Sequence, residues 1–155
     1  MEFGTPVVAS WERTLYAGLT QWVPAWGVRA LTAINALAWE PLWLSASMLA
    51  AYWEPAWALS IWASRGLEAW AKPLAHRWSP RGRPRDPHEH GLPSGDVMLI
   101  TAALLPWLGW YAVPIIALIA WARLVRQAHW PLDVLAGAAL GALLAASWRL
   151  YALYL

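Results

Sequence analysis

The sequence predicts an all-α fold: a polytopic membrane bundle of about six transmembrane helices, with an amphipathic interfacial helix at the N-terminal end. Three observations predict it. The composition is 60% hydrophobic and only 13% charged, where a soluble domain carries about 25% charged residues. The run from Val97 to Ala122 contains no charge, and neither does the run from Val134 to Trp148. Fifteen Trp are spread along the 155 residues, and indole favours the membrane–water interface, where its ring and its N–H face different solvents.

The whole chain, 1–155, reads as one membrane domain. Residues 7–22 set Glu12 and Arg13 among apolar neighbours and predict a helix lying in the interface plane. Residues 24–72 predict three short spans. Glu40-Pro41 and Glu54-Pro55 separate them, because proline readily opens a helix. Residues 73–95 form a polar linker with His76, Arg77, Arg81, Arg83, Arg85, His88 and His90. Residues 96–152 predict three more spans. The long uncharged run is broken by Pro106, Gly109 and Pro114, so it is expected to fold back near 109–113. Each arm then has about 17 residues and is about 25 Å long, short against a hydrocarbon layer of roughly 30 Å. The hairpin end with Asp96 and Arg123 is therefore expected below the headgroup surface. The last helix is expected to start at Pro131, since a first-turn N–H would go unused anyway. Gly137 and Gly141, one turn apart, let another helix come close.

Several function classes are excluded. There is no Cys, so disulfides and thiolate metal sites are absent. A net charge of +2 is too small to imply a nucleic-acid partner. Met1-Glu2 lacks a basic n-region, so no cleaved leader is expected. His88-Glu89-His90 alternates along a loop and is not read as a metal site. Counting positive charges alone places the linker in the cytoplasm. Arg77, Arg81, Arg85 and Arg126 read as headgroup or interface charges.

Three clusters carry chemistry: His76 followed after six residues by Arg83-Pro84; Pro93-Ser94-Gly95-Asp96; and Arg123, five residues, His129, three residues, Asp133. The second and third flank the hairpin, so a chain reversal brings them to one membrane side, beside the linker. Arginine forks match phosphate oxygens. N–H groups at a helix start attract anions. A neutral His can attack phosphorus when a carboxylate holds its other nitrogen. The bland alternative for His129 and Asp133 is a structural polar pair in a helix bundle, but ionisable residues at membrane depth favour function.

These clusters resemble the type 2 phosphatidic acid phosphatase superfamily, which includes lipid phosphate phosphatases and vanadium haloperoxidases. The likeness rests on Arg83-Pro84, Pro93-Ser94-Gly95, Arg123, His129 and Asp133, and on Gly137 and Gly141. It covers 76–141 by motif. It implies a small prokaryotic membrane enzyme that hydrolyses a phosphate monoester or diphosphate of a lipid. The implied substrates are isoprenoid diphosphate, phosphatidylglycerophosphate or phosphatidic acid. His129 would be the nucleophile and Asp133 its orienter. His76, Arg83, Ser94, Gly95 and Arg123 would hold the phosphate. The resemblance implies no metal and no cofactor, an integral inner-membrane location and an extracytoplasmic site. A phosphotransferase with the same site and a non-catalytic lipid-phosphate-binding protein are the alternatives. Oligomeric state is left open.

Three positions depart from the family pattern. His76 stands where the family has Lys, Ala122 where it has Ser, and Asp96 where it has the His that protonates the leaving oxygen. Three roles are open to Asp96: an acid with a raised pKa, an acceptor that orients another group, or a loss of function.

Overall fold

The computed structural model describes residues 8–36, 40–78, 83–85 and 90–153, and the side chains of 76–78 and 151–153 lie outside that description. Seven α-helices are found among the described residues: α1 (Ser10–Thr20), α2 (Ala25–Asn35), α3 (Glu40–Ala50), α4 (Pro55–Trp78), α5 (Gly95–Leu108), α6 (Ala112–Val125) and α7 (Pro131–Leu153). A short 3-10 turn, Gly109–Tyr111, joins α5 to α6.

The expected reversal of the uncharged run is present. Gly109 takes a φ of +54°, a conformation that glycine adopts without steric penalty. Asp96 at the start of α5 meets Arg123 at the end of α6, so the two helices are antiparallel. Each has 14 residues and spans about 21 Å.

Two apolar stretches are long enough to cross a membrane. They are Gly95–Val125 (31 residues, mean hydropathy 1.9), which is this hairpin, and Pro131–Leu150 (20 residues, mean hydropathy 1.5). These fit a membrane protein. The six spans expected from the sequence are not reached among the described residues. α2 and α3 have 11 residues each and extend only about 16 Å. α4 is long enough at 24 residues, but it carries Arg65, Glu68, Lys72 and His76. It also continues through Pro73 to Trp78, taking up the first part of the expected linker. Proline near a helix end removes one ladder bond without stopping the chain.

α5 is the central helix. Val97, Met98, Leu99 and Ile100 are all fully buried, as are Ala102 and Ala103. One face packs with Ile116, Ile119 and Val134. The other packs with Trp57 and Ile61 of α4. Trp57 is buried and donates its indole N–H to Ala103 O at 3.0 Å, so this Trp is a core residue and not an interfacial anchor. By contrast, Trp22, Trp53 and Trp110 are each at least 75% exposed.

α7 lies directly on α5 through its two glycines. A Cβ on Gly137 would overlap Ser94 O, and one on Gly141 would lie 2.5 Å from Met98 O. This close crossing fixes the starts of α5 and α7 side by side, and the candidate site is built there.

Candidate active site

The spacing from Arg123 to Asp133 is one helix stop followed by one helix start. α6 ends in a Schellman arrangement. Ala128 N–H donates to Arg123 O at 3.0 Å and Gln127 N–H to Leu124 O at 2.9 Å. Gln127 takes the left-handed φ of 57° that this motif needs. Trp130 then caps α7. Asp133, at the third helical position, reaches back so that Trp130 N–H donates to its Oδ2 at 2.9 Å. That is the carboxylate half of a capping box. His129 sits between stop and start, so its position is set from both sides.

The His129 ring is 1% exposed. Its Nδ1 is 3.0 Å from Gly91 O. A carbonyl only accepts, so Nδ1 carries the proton. Its Nε2 is 3.2 Å from Arg123 Nη2. A guanidinium only donates, so Nε2 keeps its lone pair. The two neighbours together select one tautomer, with the lone pair facing Arg123. Asp133 Oδ2 is 3.6 Å from Nδ1, beyond hydrogen-bond reach, and acts on the ring through its charge. The direct acceptor is thus Gly91 O, a residue that the sequence reading did not single out. Gly91 must lack a side chain, because a Cβ there would overlap Asp133 Oδ2.

The other expected residues are placed as follows. Asp96, in the first turn of α5, pairs through Oδ2 with Arg123 Nη1 at 2.7 Å. Ser94 is the N-cap of α5, and its N–H donates to Asp133 O at 2.9 Å. The Ser94 amide is therefore occupied. The N–H groups of Gly95, Asp96 and Val97 are the ones that the start of a helix cannot satisfy internally. Among the described residues, Ser94 Oγ and Arg123 Nε are buried without a hydrogen-bond partner. Buried donors are nearly always satisfied, so two orphans in one cluster mark a place for an acceptor. Arg83 donates from Nε to His90 O at 3.3 Å, and its charge acts on both Arg123 and His129. His76 lies in the last turns of α4, with its side chain outside the described part. His88 and Glu89 also lie outside the described residues.

Sequence reading missed a second residue, Glu68. It is 7% exposed and bonds to Arg65 and Lys72. Arg65 also reaches Glu40 at 2.6 Å. The Glu68 carboxyl occupies the space that a Cβ on Gly95 would fill, and its charge acts on Arg123. The signal for it was the set Arg65, Glu68 and Lys72, three ionisable residues on one helix face among apolar neighbours.

Burial pushes the His129 imidazole below its ordinary 6.5, against the upward pull of Asp133. The ring therefore stays neutral to a lower pH than a free imidazole and gains its proton as pH falls through the lowered value. The neutral ring's contribution to stability is complete above 6.5 and drains away as pH falls from there. An NMR titration of His129 in labelled protein should give a midpoint below 6.5. A midpoint at or above 6.5 contradicts the burial argument.

The arrangement offers a buried imidazole with an unprotonated nitrogen, a guanidinium at its lone pair, a second arginine, and helix-start N–H groups. That is equipment for an oxyanion such as a phosphoryl group. Comparisons with curated proteins and with solved structures find no match. The sequence model of the PAP2 superfamily matches residues 30–154, which take in every residue of this cluster, and the chain belongs to that superfamily.

Proposed function

We propose that this chain is a membrane phosphatase that hydrolyses the phosphate monoester or diphosphate of a lipid through a phosphohistidine at His129, without a metal. Family membership supports the coarser statement, a phosphoric ester hydrolase. The observation that carries the finer one is the His129 lone pair 3.2 Å from Arg123 Nη2, beside two buried donors that lack an acceptor. A phosphoryl oxygen would satisfy both donors.

Nε2 attacks phosphorus as the bond to the leaving oxygen breaks. Arg123, Arg83, Ser94 Oγ and the α5 N–H groups hold the phosphoryl oxygens as charge spreads over them. Gly91 O and Asp133 stabilise the ring while it is cationic. Water then attacks phosphorus, the N–P bond breaks, and phosphate leaves with the water's protons. His129 returns neutral.

The leaving group ranks the candidate substrates. A monoester expels an alkoxide, which needs a proton. A diphosphate expels a lipid monophosphate, whose oxygen has a pKa of about 6 and needs none. The carboxylates at the site all act as acceptors: Asp96 for Arg123, Glu68 for Arg65 and Lys72, and Asp133 for Trp130 N–H. Of the three roles open to Asp96, this geometry supports the orienting one. It favours isoprenoid diphosphates over phosphatidic acid or phosphatidylglycerophosphate.

In this reading the chain is a multi-pass inner-membrane protein with its site on the extracytoplasmic face. Arg83 of the linker serves phosphate, so the linker is a weaker guide in a count of topogenic charge.

The test is phosphate release in detergent with EDTA, from farnesyl diphosphate and from farnesyl phosphate, beside a His129→Ala control. Wild type should release phosphate from the diphosphate at least tenfold faster than from the monoester, as expected if an acid catalyst worth about 10²-fold is missing. Acid-labile phosphoprotein should be trapped in wild type only. Equal release by wild type and His129→Ala would end the catalytic reading. Release that requires an added acceptor alcohol would replace hydrolysis by transfer.

A further inference from the structure

α1 lies before the family-matched residues 30–154, yet it supplies a fully buried carboxylate to the catalytic loop. Glu12 is 0% exposed, and its Oε1 accepts from Leu132 N–H at 3.0 Å across a sequence separation of 120 residues. The start of α7 explains why. A complete capping box has two halves. Asp133 supplies the half that reaches back to Trp130 N–H. The other half needs an acceptor on the N-cap side chain, aimed at the N–H of the second or third helical residue. The N-cap is Trp130, whose indole only donates. Pro131 has no N–H, so Leu132 is the first amide of the helix that needs an acceptor. Glu12 provides it from another helix.

Two further contacts hold α1 to the same place. Tyr16, one turn on from Glu12, packs its ring on Trp130 at 5.2 Å between centroids. Leu19 O accepts the indole N–H of Trp121 in α6 at 2.8 Å. Flanking that contact face, α1 leaves Trp11, Leu15 and Leu19 exposed, spaced by four as a single apolar stripe. One helix thus keeps an apolar stripe exposed while Glu12 and Tyr16 hold Leu132 and Trp130, the residues that follow His129.

We propose that Glu12 is a positioning residue: by capping α7 from α1 it fixes the Trp130–Asp133 turn, and with it the line of His129 Nε2 toward the phosphoryl group. This rests on His129 being the nucleophile. Glu12 does not touch substrate. Its effect is on the orientation of an attack whose geometry must hold within about 1 Å, a displacement of that size costing about 10²-fold.

The experiment compares Glu12→Ala, Glu12→Gln and the exposed-site control Thr14→Ala in the full-length protein in detergent. Gln keeps the acceptor oxygen and loses the charge. Ala loses both. Three readouts are taken: kcat and KM for farnesyl diphosphate, the melting temperature, and the His129 Nδ1–H signal in ¹⁵N-histidine-labelled protein. In wild type, that proton is held by Gly91 O and should exchange slowly. Glu12→Ala should lower kcat between about tenfold and a hundredfold with KM within about twofold. Its Nδ1–H signal should broaden or vanish in protein that still melts cooperatively. Glu12→Gln should restore most of both, and Thr14→Ala should match wild type. The proposal is overturned if Glu12→Ala keeps wild-type kcat, or if its Nδ1–H signal is unchanged while kcat falls. It is equally overturned if Glu12→Gln is as defective as Glu12→Ala. Should wild type release no phosphate, the phosphatase reading fails by itself, and the Nδ1–H signal still decides whether Glu12 holds the loop.

Discussion

Arg123→Lys is expected to lower kcat/KM about 10³-fold, or roughly 4 kcal/mol in transition-state stabilisation. The reason is that one guanidinium serves three directions. Nη2 faces His129 Nε2 at 3.2 Å. Nη1 pairs with Asp96 Oδ2 at 2.7 Å. Nε is buried with no hydrogen-bond partner among the described residues, and is available for a phosphoryl oxygen. A lysine ammonium is a point donor on a flexible stem and cannot hold that fork. Charge alone would then be kept while geometry is lost, and the defect should sit in kcat more than in KM. Asp96→Asn should cost less by itself, since an amide oxygen still accepts from Nη1. In the double variant, Asp96→Asn should add little to Arg123→Lys, because both act on the same contact. Steady-state kinetics on the four proteins decides it. Additive losses would mean that Asp96 acts independently of Arg123.

The clustering of Arg123, His129 and Asp133 was more legible in the sequence than the membrane topology. Arg123, His129 and Asp133 stand at a spacing that local backbone rules demand, a Schellman stop followed by a capping-box start. Local rules of that kind are written in a few adjacent residues. The hairpin was legible for the same reason, because Pro106, Gly109 and Pro114 break an otherwise uniform run. The number of spans was less so. α2 and α3 are apolar enough to suggest crossing, but helix length is fixed by where caps fall, and each ends after 11 residues.

The tertiary partners of the site were the hidden part. Nothing adjacent to Gly91 says that its carbonyl meets His129 thirty-eight residues away. Glu12 fell in the helix expected at the interface, and Glu68 in one of the short spans expected over 24–72. Their partners, the start of α7 and the start of α5, are set by how helices pack. Departures from the family pattern carried information as well. Asp96 in place of His is a puzzle in the sequence, and in the structure it becomes one end of an ion pair with Arg123.

Gly141→Leu is expected to abolish folded, active protein, and Gly141→Ala to lower its melting temperature clearly. A Cβ at this position would lie 2.5 Å from Met98 O and 2.7 Å from Thr101 Cβ. The first neighbour is the backbone carbonyl of Met98, a fully buried residue of α5, and cannot swing aside. Overpacking of a well-filled interface costs about 1–3 kcal/mol when side chains can adjust, and here a carbonyl must move, so α7 must lift from α5. That motion does not stay local. One turn earlier on α7 lies Gly137, seated on Ser94 O, and at the helix start Asp133 O accepts from Ser94 N–H. Lifting α7 therefore pulls Asp133 from Ser94 and separates the His129 loop from the helix start that would hold phosphate. Activity should fall further than the loss of folded material explains, even in the Ala variant. Gly66→Ala is the matched comparison, since nothing lies within 4 Å of a Cβ there. In the middle of α4 it should be neutral or raise stability by about 0.5–1 kcal/mol. Melting curves and phosphate release measured on Gly66→Ala and Gly141→Ala together test the argument. If both variants melt and turn over like wild type, the glycine contact is not what brings α5 and α7 together at the site.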